Sequence, residues 1–283
     1  MASSRHDSPL PRIILLICTG LVCVFLLIIL VEIFSRGLGV LSPCFIFSYP
    51  SDGMTHGGIM PAVAGTVVLT FITGLASLPV GILCAVYLNE YASNNIATRM
   101  IRAAIRNLAG VPSIIYGLFG LALFVQGLHL GTGLLSAGLT LGLLSLPNII
   151  TTTEEALKNI PVSMREGAMA LGATQYESIR DIVLPAAIPG IATGAILSLS
   201  RAAGETAPIL FTGAAYYVTG LPGNPMQEFM ALPYHLYMLS TQHQSIMAVR
   251  PLAYGTAAVL ITFVFLMNIS ATVIRNKYRN KLK

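Results

Sequence analysis

The sequence predicts an all-α, polytopic membrane protein with six transmembrane helices. Two observations carry that reading: the charged residues are few and clustered, and the basic ones gather on one side of the predicted spans. Of the 283 residues, 55% are hydrophobic and 10% charged, whereas a soluble domain carries about a quarter charged residues. The mean hydropathy is +0.77. Stretches free of Asp, Glu, Lys and Arg run from Ile13 to Val31, Gly53 to Asn89, Asn107 to Thr153 and Pro251 to Ile274. About twenty apolar residues in a helix cover the roughly 30 Å hydrocarbon core of a bilayer.

The first span is expected near 13–34. It is apolar for too long, and its exit at Ser35 and Arg36 lacks the small-x-small pattern of a cleavage site, so it reads as a retained anchor. A second span is expected at 61–88, where Pro79 and Gly81 should kink it. The stretch from Asn107 to Thr153 is too long for one crossing, and Gly127, Gly131 and Gly133 divide it into spans near 108–126 and 133–150. A fifth is expected from Pro185 to about Phe211, with two charges inside it, and a sixth at 251–274. The pairs Gly138-x-x-x-Gly142 and Gly190-x-x-x-Gly194 allow close helix packing.

Six crossings put both termini on one side, and the basic residues say which. Arg5, Arg12, Arg99, Arg102, Arg106, Lys158, Arg165, Arg180 and the tail residues Arg275, Lys277, Arg279, Lys281 and Lys283 share that side, making 13 of the 16 Lys and Arg residues. Arg36 and Arg250 fall on the other side and Arg201 lies within a span. The positive-inside rule then places both termini in the cytoplasm of a bacterial inner membrane. The formal charge of +5 is accounted for by that juxtamembrane tail, so no nucleic-acid partner is implied. Cys18, Cys23, Cys44 and Cys84 show no metal-ligand spacing and read as small buried hydrophobes. Of the two outward segments, 35–60 and 212–250, the second carries Met226, Phe229, Met230, Leu232, Tyr234, Leu236 and Tyr237 among few charges. It fits a short helix on the membrane surface, serving either as a lid over the external mouth or as an interfacial anchor.

The longest cytoplasmic connection, 151–185, reads as folded structure. Ser163-x-x-Glu166 has the form of a capping box opening a helix that Gly172 stops, and Thr174-x-x-Glu177 is a second box opening a helix expected to end before Pro185. Met164, Met169, Leu171, Tyr176 and Ile179 are more apolar surface than a hairpin can bury, which points to a docking partner. The elements Glu166-Gly167-Ala168, Gly172 and Ile182-x-Leu184-Pro185 match, in spacing, the EAA motif of ABC importer permeases, with Gly167 where that family usually has Ala. The resemblance implies a type I (MetI-like) permease fold in which this loop sits in a groove of an ATPase subunit. It also implies an anchor region at 1–60 ahead of a permease core at 61–283. No Gly-x-x-x-x-Gly-Lys-Ser/Thr phosphate loop occurs, so the chain is not expected to be an enzyme. It is expected to bind no cofactor or metal itself, ATP-Mg belonging to the partner.

The fifth span carries Arg201 and Glu205, four residues apart and hence on one helix face. An arginine at a helix centre costs roughly 2.5–3.5 kcal/mol on insertion scales, so this face is expected to line the bundle interior. Two readings fit: a structural ion pair holding helices together, or an anion pathway in which Arg201 supplies positive potential and Glu205 steadies the guanidinium. The stretches GGIMPAVAGT at 57–66, LAGVPSIIYGLFGLALFV at 108–125, LPNIITTTEEAL at 146–157 and SRAAGETAPILFTGAA at 200–215 are similar to phosphate importer permeases of the PstA type. That resemblance implies a second, PstC-like permease subunit, a PstB-like ATPase dimer and an extracytoplasmic PstS-like phosphate-binding protein. It also implies a part for Arg201 and Glu205 in phosphate passage. Transport of another oxyanion or small solute, and a subunit that signals phosphate sufficiency, are the alternatives.

Overall fold

A computed structural model describes residues 9–218, 220, 221 and 223–279. The expectations for Arg5, Lys281 and Lys283, and for the side chain of Arg279, lie outside the described residues. The chain is helical nearly throughout. Its helices are α1 (Pro9–Gly37), α2 (Pro43–Phe47), α3 (Met60–Val86), α4 (Ile96–Leu108), α5 (Ser113–Gly120) and α6 (Leu134–Lys158). They are followed by α7 (Val162–Ala170), α8 (Gln175–Ser178), α9 (Leu184–Ala202), α10 (Ala207–Thr212), α11 (Leu232–Thr241) and α12 (Ile246–Arg279). A two-residue hairpin pairing, β1 (Pro50–Ser51) with β2 (His56–Gly57), sits in the first outward loop.

Five helical runs are long and apolar enough to cross a membrane: Pro11–Gly37, Met60–Tyr91, Leu134–Lys158, Gln175–Ala202 and Ile246–Lys277. The third predicted crossing differs. In place of one helix over 108–126, the chain forms α4 and then the run Ser113–Gly127, bent by 100° at a break across Ala109–Pro112. Proline removes the N–H that would continue the helix, and the residue before it is pushed out of the helical region. Tyr116, one turn into α5, donates its hydroxyl to the carbonyl of Leu108 at 3.0 Å, which also accepts from Val111 N–H at 3.1 Å, and so pins the bend from its far side. Together, α4 and Ser113–Gly127 supply the sixth candidate crossing, as a broken span.

The centre of the bundle is α3 against α6, with α9 packed on α6 and touching α3 at Gly74 and Leu199. Gly138 and Gly142 lie against Ile72 and Ala76 of α3, and Gly190 and Gly194 lie against Ala156 and Thr152 of α6. Both small-xxx-small pairs therefore do what their spacing predicts, letting backbones approach. Thr66, Thr70, Thr73 and Ser77 are buried, and each hydroxyl donates to the carbonyl four residues earlier, so α3 buries hydroxyls without stranding them. The helix continues through Pro79 to Val86, then widens into a π turn over Tyr87–Tyr91. Helix α1 packs on α12, while its apolar residues from Ile13 to Val31 are exposed, as a lipid-facing anchor requires.

Two expectations are corrected. Cys18, Cys23 and Cys44 are exposed rather than buried, and Cys84 is partly buried; all four are free. Cys18 and Cys23 ride on α1, where lipid takes the place of protein packing. The outward segment 212–250 does not simply lie on the surface. Phe229, Met230 and Leu232 are fully buried, Leu232 N–H donates to Thr66 Oγ1 at 2.8 Å, and Ala215 N–H donates to Phe229 O at 2.8 Å. Backbone bonds from Leu134 to Gln227 O and from Gly133 to Thr212 O tie it to the start of α6. The segment thus inserts into the outer end of the bundle, while Met226 and Tyr237 stay exposed.

Candidate functional site

The fifth crossing is broken where its charges lie. Helix α9 ends at Ala202, and the next N–H groups close tightened turns: Gly204 onto Arg201 O and Glu205 onto Ala202 O, both at 3.1 Å. Pro208 has no N–H for the carbonyl of Gly204 and its ring would crowd that carbonyl, so the helix restarts only at Ala207 as α10. Arg201 and Glu205 are therefore not on the face of one continuous helix, as their spacing predicts. Arg201 stands in the last turn of α9 and Glu205 in the break beyond it. Their nearest approach is 3.9 Å, from Arg Nε to Glu Oε1, and the Arg side chain is 69% exposed against 19% for Glu. Among the described residues no hydrogen bond engages the guanidinium. This is a loose contact, worth little as a structural clamp.

The two broken helices face each other. Gly117 of α5 meets α10 so closely that a Cβ there would stand 2.9 Å from Pro208 Cα and 3.1 Å from Ala207 O. Beneath that contact a cavity of about 220 Å³ is bounded by the break at 108–113, by Ser145 and Asn148 of α6, and by Ser198, Arg201, Ala202 and Glu205. Asn148 is near the middle of the 25-residue α6, with Ser145 one turn earlier. Both residues precede the charged last turns of α6 at Glu154 and Lys158, so the cavity lies within the apolar part of that helix. One guanidinium, an amide and three hydroxyls (Ser113, Ser145, Ser198) converge there without a bound partner for the arginine fork. Such a set can hold a compact oxyanion by charge-assisted and neutral hydrogen bonds. Ser145, Asn148 and Ser198 were not singled out from the sequence. Their signal was polar residues three apart on an apolar helix, visible only once the facing break is known.

The loop at 151–185 forms the hairpin of helices its sequence predicts, with corrections at two points. Ser163 is not a cap: α7 begins at Val162 with Pro161 as N-cap and no side-chain cap bond. The fixed φ of Pro161 starts the helix before Ser163 can serve. At the other end Gly172 has φ +91°, Gly172 N–H donates to Met169 O at 3.0 Å and Ala173 N–H to Ala168 O at 3.1 Å, a complete Schellman closure. The second capping box is formed as predicted, with Thr174 N–H on Glu177 Oε2 at 2.8 Å and Glu177 N–H on Thr174 Oγ1 at 3.3 Å. These bonds hold the Glu177 carboxyl below its ordinary pKa. The helix opened by that box does not end before Pro185. It passes through a π turn at Ile179–Val183, closed by Leu184 N–H on Ile179 O, into α9. The longer turn lets the chain take Pro185 without a break, since Pro185 falls in the first turn of the following helix.

Within the motif, Glu166 and Gly167 are exposed, Ala168 is buried, Ile182 and Leu184 are half-buried and Pro185 is exposed. Nothing lies within 4 Å of a Cβ built on Gly167, so the position takes Gly or Ala without change. Leu171 is 91% exposed at the corner, with Met164, Met169 and Tyr176 exposed around it, while Ile179 is buried at 4% and belongs to the protein's own packing. Four apolar side chains on a projecting hairpin form a surface suited to a partner.

Comparison with known proteins bears on both features. The family model described as binding-protein-dependent transport system inner membrane component matches residues 77–280. The chain belongs to that family. It is a multi-pass membrane component of a transport system, and it shares its fold with solved importer permeases. A methionine ABC transporter in inward-facing conformations aligns with a TM-score of 0.61 at 22% identity, over 77% of this chain and 94% of that one. A bacterial alginate ABC transporter aligns with 0.60 at 13% identity, over 98% of both. At these identities the likeness speaks for the fold alone. Curated relatives extend the match. The chain is 33% identical over 267 residues to a probable ABC transporter permease protein, YqgI, of Bacillus subtilis, covering 89% of this chain and 90% of that one. It is 32% identical to a probable phosphate transport system permease protein PstA of Methanocaldococcus jannaschii, covering 82% and 81%. It is also 34% identical to phosphate transport system permease protein PstA 1 of Mycobacterium tuberculosis, covering 77% and 71%. As a member of this family, the chain carries within the matched span both the cavity beside Arg201 and the hairpin at 162–178.

Proposed function

We propose that this chain is a permease subunit of an ATP-driven phosphate importer, and that phosphate passes through the cavity between the breaks at 109–112 and 203–206. The observation that carries the reading is the free fork of Arg201 at the cavity between the two breaks, in a chain whose similar relatives include several named phosphate permeases. A guanidinium with two parallel N–H groups suits a tetrahedral oxyanion. Glu205, close but not hydrogen-bonded to it, lowers the net positive charge, so the anion is attracted without being trapped. Asn148 and Ser198 supply neutral donors to the oxygens that Arg201 does not reach, while the Ser145 hydroxyl is already given to Leu141 O at 2.8 Å.

Energy comes from a separate, PstB-like ATPase dimer, because the sequence holds no phosphate-cradling loop. That ATPase docks on the hairpin carrying Glu166, Gly167, Ala168 and Gly172, with Leu171 as the exposed apolar tip; Ile182, Leu184 and Pro185 join the hairpin to α9. A PstC-like permease subunit completes the pathway, and a PstS-like binding protein delivers phosphate from outside. Both termini lie in the cytoplasm, residues 1–60 form an anchor region, and residues 61–283 form the permease core. ATP-driven closure of the ATPase pair moves the hairpins together and opens the cavity outward.

The test is uptake of labelled phosphate by the assembled complex, with sulfate and molybdate as competitors. Phosphate as the strongest competitor is expected. Displacement by sulfate or molybdate at lower concentration than by phosphate would reassign the substrate to another oxyanion.

A further inference from the structure

A buried ion pair at the cytoplasmic face joins two parts of the chain 75 residues apart. Glu90 closes the π turn at the end of α3, and Arg165 lies in the first turn of α7, the leading helix of the hairpin. The contact is two-pronged: Arg165 Nε donates to Glu90 Oε2 at 3.2 Å and Nη2 to Oε1 at 3.0 Å. The glutamate side chain is 7% exposed and the arginine 18%. The remaining arginine donors go to Ile160 O at 2.7 Å and Leu157 O at 2.8 Å, at the end of α6. Gln175, at the start of α8, adds a bond from Nε2 to Glu90 O at 2.7 Å. One residue of α3 is thus held by both helices of the hairpin.

We propose that Glu90 is a positioning residue that makes α3, the helix packed behind the α6 wall of the cavity, move with the hairpin. The proposal rests on the reading of the hairpin as the ATPase docking element. The hairpin reaches the cavity by two covalent routes: α7 follows α6, which carries Ser145 and Asn148, through residues 159–161, and α8 runs through its π turn into α9 and on to Arg201. A third, polar route brings in α3: Arg165 grips Glu90 just past the end of α3, and α3 is packed along both α6 and α9. With the polar route cut, a moving hairpin carries α6 and α9 while α3, packed against them, lags, and the cavity opens incompletely for the same ATP turnover. A bidentate arginine fork suits this task because it fixes direction as well as distance. Desolvation offsets much of a buried pair's contribution to stability, so a role in transmitting motion gives it a purpose beyond holding the fold.

The experiment measures ATP hydrolysed per phosphate transported, in proteoliposomes containing the whole complex with its binding protein. Glu90→Gln is expected to raise that ratio several-fold with the complex still assembled. Arg165→Met is expected to do the same, and the double variant to be no worse than either single one. An unchanged ratio, or hydrolysis and uptake falling together in proportion, would overturn the proposal in favour of a purely structural pair. If Glu90→Gln does not assemble, Arg165→Lys, which keeps the charge but loses the fork, is read by the same ratio. Leu171→Glu separates the two ideas. If it leaves the ATPase bound and coupled, the docking reading fails; if it uncouples the complex while Glu90→Gln does not, only the positioning role fails.

Discussion

Arg201 and Glu205 approach to 3.9 Å across the end of a helix, not along the face of one. The arginine still belongs to α9, and through α9 to the hairpin at 162–178; the glutamate belongs to the break that separates α9 from α10, tied back to α9 by its N–H on Ala202 O at 3.1 Å. The two side chains therefore lie side by side at the mouth of the break, with the guanidinium left exposed.

The exposed tip of the hairpin gives the first prediction. Burying a leucine side chain contributes about 1.5–3 kcal/mol, so Leu171→Glu should weaken ATPase binding by roughly 10–100-fold. Co-purification and titration of the ATPase against the detergent-solubilised permease check this, and unchanged affinity would place the docking surface elsewhere.

The corner behind that tip depends on Gly172. Its φ of +91° costs a residue with a side chain about 1–2 kcal/mol or more, and a β-branched one most. Gly172→Val should disturb the Schellman closure and reduce transport-coupled ATP hydrolysis several-fold, whereas Gly167→Ala should leave it unchanged. Steady-state hydrolysis with and without the binding protein distinguishes the two variants.

The second capping box makes a pH prediction. Bonds from Thr174 hold the Glu177 pKa below its ordinary value, so the cap's contribution is present above that ordinary value. It is lost only as pH falls through the lowered folded-state value. Protection factors at the start of α8, which divide out the intrinsic pH dependence of amide exchange, should stay flat from neutral pH down to the ordinary glutamate value, about 4.3, and fall below it. Thr174→Ala should lower protection near neutral pH and weaken that pH dependence.

Contact between the two broken helices is tight at Gly117. A Cβ there meets the Pro208 backbone, which cannot swing aside, so Gly117→Val should cost about 1–3 kcal/mol and push α5 from α10. Uptake should fall while the ATPase still binds, because the hairpin is untouched. A thermal-shift assay paired with uptake reads both effects.

Hydropathy made the long crossings legible, since twenty apolar residues have few other uses, and the Gly-x-x-x-Gly pairs foretold which helix faces pack. The hairpin was legible from Thr174, Glu177 and Gly172, whose turn chemistry is local. What hydropathy does not register is a missing backbone bond. The stretch from Pro185 to Phe211 is apolar enough to read as one helix, although Gly204 and Pro208 mark the break. Likewise Ala109–Pro112 lies inside an unbroken apolar run. Ser163 has the spacing of a capping box, but Pro161 starts the helix first. The Glu90–Arg165 pair has no local signature at all, because its members come together only through the packing of α3, α6 and α7.

The most direct test of the central claim is phosphate uptake by the complex carrying Arg201→Gln, with Arg201→Lys beside it. Hydrogen bonds to a charged group contribute about 1.5–3 kcal/mol each, so losing the fork should lower uptake by roughly a hundredfold or more in the glutamine variant. The lysine variant, which keeps the charge, should lie between. Assembly and basal ATP hydrolysis should be unchanged in both. Wild-type uptake by an assembled Arg201→Gln complex would contradict the account and leave Arg201 as a structural residue.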